Sequence, residues 1–237
     1  MVYNPLQYLP SATELPDSDD TPVDNELQDL VPHLLKTILA SIWQDRTDWF
    51  FGVDMGIYYT PEARPTPIVP DGFISLGVER HKRGDKGRLS YVLWEENYTP
   101  PTLVLEVVSQ TYGGEYNEKQ QKYAQLGVLY YVIYNPDFGA RDRHEPLEVY
   151  RLTDGAYIRQ TGEPVWMPEM GLAIGREQGT YAGWSREWLY WYDAEGNRFA
   201  SPEERAESAE QQLQQERQRA ERLAARLRAA GIDPDTL

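Results

Sequence analysis

The chain has 237 residues, 41% hydrophobic and 12% aromatic, which suits one medium domain with extensions or two small ones. With no cysteine, a disulfide framework and a thiolate metal site are both excluded. The formal net charge of -15 argues against nucleic-acid binding through a simple basic surface. Part of that acid excess lies in the leader residues Glu14, Asp17, Asp19, Asp20 and Asp24, and a metal-dependent site must itself be acidic. The N-terminus MVYNPLQYLPSATELP lacks a basic region followed by a long apolar stretch, so it does not read as a signal peptide. No run approaches the roughly 18 apolar residues of a membrane span. These features predict a soluble, cytoplasmic protein.

Residues 1–24 read as an irregular leader rich in Pro, Ser and Asp. Asp24 or Asn25 could cap a helix running to about Gln44. Its apolar positions Leu27, Leu30, Val31, Leu34, Leu35, Ile38, Leu39 and Ile42 recur at helical spacing, with Pro32 as a possible kink. Trp49–Tyr59 reads as a strand, and Ile68–Val78 holds a second around Pro70-Asp71. The basic cluster Glu79–Arg83 with Lys86 and Arg88 reads as a solvated loop. Tyr91–Glu95 reads as a short strand or the approach to one.

Leu103–Val108 is the central strand, its apolar run interrupted only by Glu106. After the flexible Gly113-Gly114, a helix is predicted over Glu115–Leu126, ended by Gly127. Val128–Tyr134 is the next strand. Strand, helix, strand at this spacing implies a parallel crossover. Asp154-Gly155 predicts a hairpin between Leu147–Leu152 and Ala156–Gln160. Residues 171–199 are aromatic and β-like. Trp184, Trp188, Tyr190, Trp191 and Tyr192 read as packing rather than a base-stacking platform. From Pro202 the chain is almost wholly Ala, Glu, Gln, Arg and Leu up to Ala230, one helix closed by Gly231. Its partial heptad leaves an exposed charged helix and a pairing segment, hence a coiled-coil homodimer, both open.

The chemistry concentrates between Pro70 and Pro136. A lone carboxylate in a doubly buried strand is expensive unless a cation or a metal pairs with it. Asp71 at the end of one strand and Glu106 in its neighbour could hold Mg²⁺, which needs only one or two carboxylates and keeps several waters. Lys119 on the following helix could point back over that end of the sheet. Such a set suits phosphodiester hydrolysis, where a Lewis acid offsets phosphate charge and activates water. His33, His81 and His144 have no ligand spacing, so zinc is not expected.

Pro70-Asp71, then Pro101-x-Leu-Val-Leu-Glu106-Val-Val-Ser109, then Glu118-Lys119-x-x-x-Tyr123-x-x-x-Gly127-Val128-x-x-Tyr131-x-x-x-Asn-Pro136 form one ordered series. It resembles the PD-(D/E)XK nuclease superfamily and, within it, the Uma family of restriction-endonuclease-like proteins. The likeness covers about residues 25–136 well and the chain to about 195 loosely. It implies an α/β fold, a mixed sheet flanked by helices, over residues 25–199; the leader and the charged helical tail, residues 200–237, lie outside it. It also implies Mg²⁺- or Mn²⁺-dependent cleavage of DNA, with Asp71 and Glu106 as metal ligands and Lys119 as the third catalytic group. The superfamily lysine would fall at Val108, two positions after Glu106; in the Uma-like pattern it has moved to the helix. The family's Ser-Pro-Ser-Thr is shortened here to Ser109-Gln110-Thr111, and Glu115 stands where an Asp is usual. Members often place an acid on the first helix near the metal, which makes Glu26 a further candidate ligand.

Plainer readings stand beside these. Asp71 could start a turn, and Glu106 could be an ion-pair partner of Lys119 with no metal. Lys122, three residues on, competes with Lys119. Glu26 and Asp29 could be first-turn acids favoured by the helix dipole, and Asp54 is a weaker candidate than either. A non-catalytic binding or adaptor protein that keeps the fold and associates through its tail is the rival function.

Overall fold

The structure, a computed structural model, describes residues 9–16, 25–61, 65–82, 87–110, 113–137 and 139–230. Most of the acidic leader therefore lies outside the described residues. The chain divides into two compact units, Met1–Phe199 and Ala200–Leu237.

The first unit opens with helix α1 (Glu26–Ile42). Asn25 caps it by accepting from the backbone of Leu27 and Gln28, while the Gln28 side chain returns to the Asn25 N–H. Pro32 sits buried within the helix. The single strand expected over Trp49–Tyr59 is two, β1 (Trp49–Val53) and β2 (Ile57–Tyr58). Asp54 separates them with φ of +45°, a conformation no continuous strand can contain. Next come β3 (Gly72–Leu76), β4 (Tyr91–Val92) with a short 3₁₀ turn over Leu93–Glu95, and β5 (Leu103–Val107). Helix α2 (Glu118–Leu126) begins three residues later than expected and ends at Gly127, whose φ of +83° is the left-handed cap glycine favours. Strand β6 (Tyr130–Tyr134) follows.

A four-residue helix, α3 (Gly139–Asp142), carries no apolar period and was not foreseen. The hairpin β7 (Leu147–Thr153) and β8 (Ala156–Arg159) turns at Asp154 and Gly155, both with positive φ. Strands β9 (Val165–Met167), β10 (Leu172–Tyr181) and β11 (Trp184–Tyr192) form a separate three-stranded sheet.

The main sheet has the order β1-β3-β5-β6-β7-β8. Only β5 and β6 pair in parallel within it, and all five residues of each are buried, which fits their nearly unbroken apolar runs. One face of the sheet packs on α1 and on the buried aromatics of β11. The Trp191 Nε1–H donates to the Leu35 carbonyl at 2.9 Å and ties that second sheet to α1. The other face carries Val104, Val108, Tyr131 and Ile133 against Tyr123 of α2. Of the aromatic group near the end of this unit, Trp188, Tyr190, Trp191 and Tyr192 are core and Trp184 is exposed.

The basic cluster after β3 is not a simply solvated loop. Arg88 is buried against Glu96 at 2.9 Å, and Arg80 lies 3.8 Å over the Trp49 ring. Residues 83–86 lie outside the described residues. The second unit is helix α4 (Pro202–Ala229), started by a capping box between Ser201 and Glu204. No helix among the described residues is long and apolar enough to cross a membrane.

Candidate active site

Strand register brings the carboxylates together. Strands β3 and β5 are antiparallel, with Gly72 opposite Leu105. One step further along that register sets Asp71 opposite Glu106. Paired residues of adjacent strands project on the same face. The Asp71 carboxylate bends over the end of β5 and accepts the Val107 N–H at 2.6 Å. That donor is available because β3 has run out of paired residues.

Glu106 projects towards α2. Its Oε2 accepts from Lys119 Nζ at 2.8 Å and its Oε1 from the Tyr123 hydroxyl at 2.6 Å. Lys119 and Tyr123 are four apart on α2, so one helical face holds both carboxylate oxygens. Lys122 is exposed on the same helix, and the contact to Glu106 is made by Lys119. The Glu106 side chain is 1% exposed and that of Lys119 27%, so the pair is open to solvent from the lysine side.

Burial first, then the Glu106 charge, pushes the Asp71 carboxyl well above the usual carboxylate range; the Val107 N–H and Lys119 oppose this. Burial also raises Glu106, against the pull of Lys119 and Tyr123. Burial alone would depress the Lys119 ammonium, but Glu106, Asp71 and Glu115 together hold it above its ordinary value. Glu115 is thus a third buried acid acting on this site, and it was noted from sequence only as a loop substitution. Gly114, at φ of +81°, turns the chain there, Glu115 Oε2 accepts the Gly113 N–H, and the Tyr131 hydroxyl fixes the Glu115 carbonyl at 2.7 Å. The role of Tyr123 was missed too. Its spacing from Lys119 was visible, but not that its hydroxyl would face Glu106.

Glu26 is exposed and lines a groove with Asn25, Asp29, Leu30, Ala182 and Trp184. Among the described residues it makes no hydrogen bond or ion pair with Asp71, Glu106 or Lys119. The α1 side chain that reaches the end of β5 is Gln28, whose amide donates to the Val107 carbonyl at 3.4 Å. Asp29 pairs with His33 at 3.0 Å. Exposed Asp54 donates its backbone N–H to the Asp71 carbonyl at 3.2 Å.

The donor chemistry fits a hard divalent cation. Two carboxylates sit close together with only one lysine, and both are held above their ordinary range by burial. A cation would relieve that charge. Each carboxylate oxygen has two lone pairs, so the bonds already made leave acceptor capacity. Among the described residues no group of three or more His, Cys, Asp or Glu side chains is placed to hold a metal. The fit therefore rests on a small set of oxygen donors, as Mg²⁺ tolerates.

No curated protein and no solved structure matches the chain. A family model does match, over residues 20–180: Uma2, described as "Putative restriction endonuclease". That span includes α1, both strands that bring Asp71 and Glu106 together, and the helix of Lys119. The chain belongs to the Uma2 family and has its restriction-endonuclease-like α/β fold.

Proposed function

We propose that this protein is a metal-dependent endonuclease that hydrolyses phosphodiester bonds of DNA. The observation that carries the reading is the 2.8 Å contact of Lys119 with Glu106, which the strand register sets opposite Asp71, within a family described as "Putative restriction endonuclease". Asp71 and Glu106 would hold Mg²⁺ or Mn²⁺, with Glu26 outside the donor set. When bound, the ion supplies Lewis-acid stabilisation of phosphate charge and a more acidic water.

The protein's own groups do the rest. Tyr123 fixes the Glu106 carboxylate by its Oε1. Lys119, charged and partly open to solvent, orients water or offsets phosphate charge once its bond to Glu106 is shared. The packed sheet face around Val104 and Ile133 keeps bulk water from the carboxylate side.

One observation favours the non-catalytic reading: both Glu106 oxygens already have protein partners, as in a structural ion pair. Nicking of supercoiled plasmid separates the two. The parent should nick with Mg²⁺ or Mn²⁺ and stop with a chelator. Lys119→Ala should lose this activity while Lys122→Ala keeps most of it. A pure, folded parent that cuts neither single- nor double-stranded DNA would favour the adaptor.

A further inference from the structure

The row of residues that holds Asp71 and Glu106 continues across the sheet. Glu106 lies opposite Ile133, and Ile133 lies opposite Glu148. Glu148 therefore projects on the same face as Glu106, two strand spacings or roughly 10 Å away. It is a further buried carboxylate, 2% exposed, and no step of the proposed hydrolysis uses it. Its Oε2 accepts from the Tyr150 hydroxyl at 2.5 Å, and its Oε1 accepts the Glu145 N–H at 3.3 Å and lies 3.5 Å from Arg159.

Against this carboxylate stands His144, with Nδ1 3.1 Å from Glu148 Oε1. Its ring stacks on Tyr116 at 3.6 Å and 6°, so two contacts fix its plane. The side chain is 34% exposed, and its Nε2 has no partner among the described residues. Tyr116 directly follows Glu115, whose charge reaches Asp71, Glu106 and Tyr116 alike. Glu115 and Tyr116 thus link the surroundings of the Asp71–Glu106 pair to those of His144.

The residue before His144 adds a cation. Arg143 is exposed, with φ of +60°, in the position after a helix that glycine usually fills. No ion pair holds it among the described residues. Of the acids beside it, Asp142 pairs with Arg141 at 2.6 Å and Glu148 with His144 and Tyr150, while Glu145 is exposed.

We propose that His144, oriented by buried Glu148, and the adjacent Arg143 bind a backbone phosphate of the nucleic-acid strand next to the phosphate cleaved at the Asp71–Glu106 site. This rests on the nuclease reading for the placement of the strand. An imidazole N–H and a guanidinium both donate to phosphate oxygens. Such contacts set register without reading sequence. They also give an otherwise acidic protein a local foothold for an anion. A histidine serving only to satisfy Glu148 would not need its second nitrogen at the surface.

Binding of fluorescein-labelled single-stranded and duplex DNA to the full chain, with Ca²⁺ in place of Mg²⁺, tests this by anisotropy across a salt series. Arg143→Gly removes the cation and relieves the left-handed backbone, so it should fold at least as stably as the parent. It should weaken binding about fivefold or more and lower the slope of log K against log salt by about one. His144→Gln should weaken binding in the same direction, and exposed His33→Gln on α1 should not. A purely structural His144 would change the melting temperature of His144→Gln but leave affinity and slope at parent values. Parent-like affinity and slope in both variants overturn the inference even if the parent cuts DNA. Loss of affinity in both variants, in a parent that binds but never cuts, leaves the phosphate site standing and removes the nuclease. A parent that binds no DNA removes both.

Discussion

Replacing Lys119 with Met removes the charge while keeping most of the side-chain volume. Glu106 would then be a buried carboxylate held by Tyr123 alone. Breaking a fully buried ion pair costs roughly 3–5 kcal/mol. Here Lys119 is 27% exposed and the Tyr123 bond survives, so the expected cost at pH 7.5 is about 2–3 kcal/mol. For a domain of this size that lowers the melting temperature by roughly 5–10 °C. Adding Glu106→Gln should restore stability to within about 1 kcal/mol of the parent, because the Glu106 charge is no longer there to bury and the Gln carbonyl still accepts from Tyr123.

The pH dependence has a definite sign. Burial raises the folded-state Glu106 above its ordinary 4.5, and losing Lys119 raises it further. Below the unfolded value the carboxyl is neutral in both states and no pair exists to break. The cost of Lys119→Met should therefore be greatest at neutral pH, fade as the pH falls through the raised folded-state values, and be gone by the ordinary 4.5. Guanidinium denaturation of the two single variants and the double variant, at pH 7.5 and 4.5, measures this. A Lys119→Met protein within about 0.5 kcal/mol of the parent at pH 7.5, or a double variant no more stable than the single, refutes the buried-pair argument.

Asp71 has a raised folded value against an ordinary 3.8, so its charged form is disfavoured above that folded value and the penalty fades as the pH falls. Asp71→Asn keeps an acceptor for the Val107 N–H; in metal-free buffer it should exceed the parent in stability at pH 7.5 and match it near pH 4 in urea titrations. Tyr123→Phe removes one hydrogen bond to a carboxylate and should cost roughly 1.5–3 kcal/mol by calorimetric melting, with a cost below about 0.5 kcal/mol contradicting the bond. Gly52→Ala would set a Cβ 2.2 Å from the Phe73 ring and should destabilise by roughly 1–3 kcal/mol, since β1 and β3 must move apart or the ring must turn. A chain ending at Ala200 should fold with an unchanged melting temperature, because its core lies in the first unit. Light scattering of the two lengths then shows whether α4 carries any self-association, which its Ala- and Glu-containing seam should leave weak.

The central strands were legible because β5 and β6 are buried on both faces and so carry nearly unbroken apolar runs. Gly127 and the Asp154-Gly155 turn were legible for a local reason, since both need positive φ. The break at Asp54 was not, because an aspartate in left-handed backbone looks the same in sequence as one in a strand. Helix α3 is too short to show a period. At the site, Asp71, Glu106 and Lys119 stood out as polar groups beside apolar runs. Their mutual placement depends on strand register, which pattern alone leaves open. The influence of Glu115 and the grip of Tyr123 depend on where a glycine turn and a helix face point. The pairing of His144 with Glu148 follows from a loop with no regular pattern.

The most direct measurement is calorimetric titration of Mn²⁺ into the metal-free protein, with Glu106→Gln titrated alongside. The proposed site should bind Mn²⁺ saturably in the parent through Asp71 and Glu106 and lose that binding in a folded Glu106→Gln variant. Equal Mn²⁺ binding by parent and variant would contradict it and leave Glu106 as the structural partner of Lys119 and Tyr123.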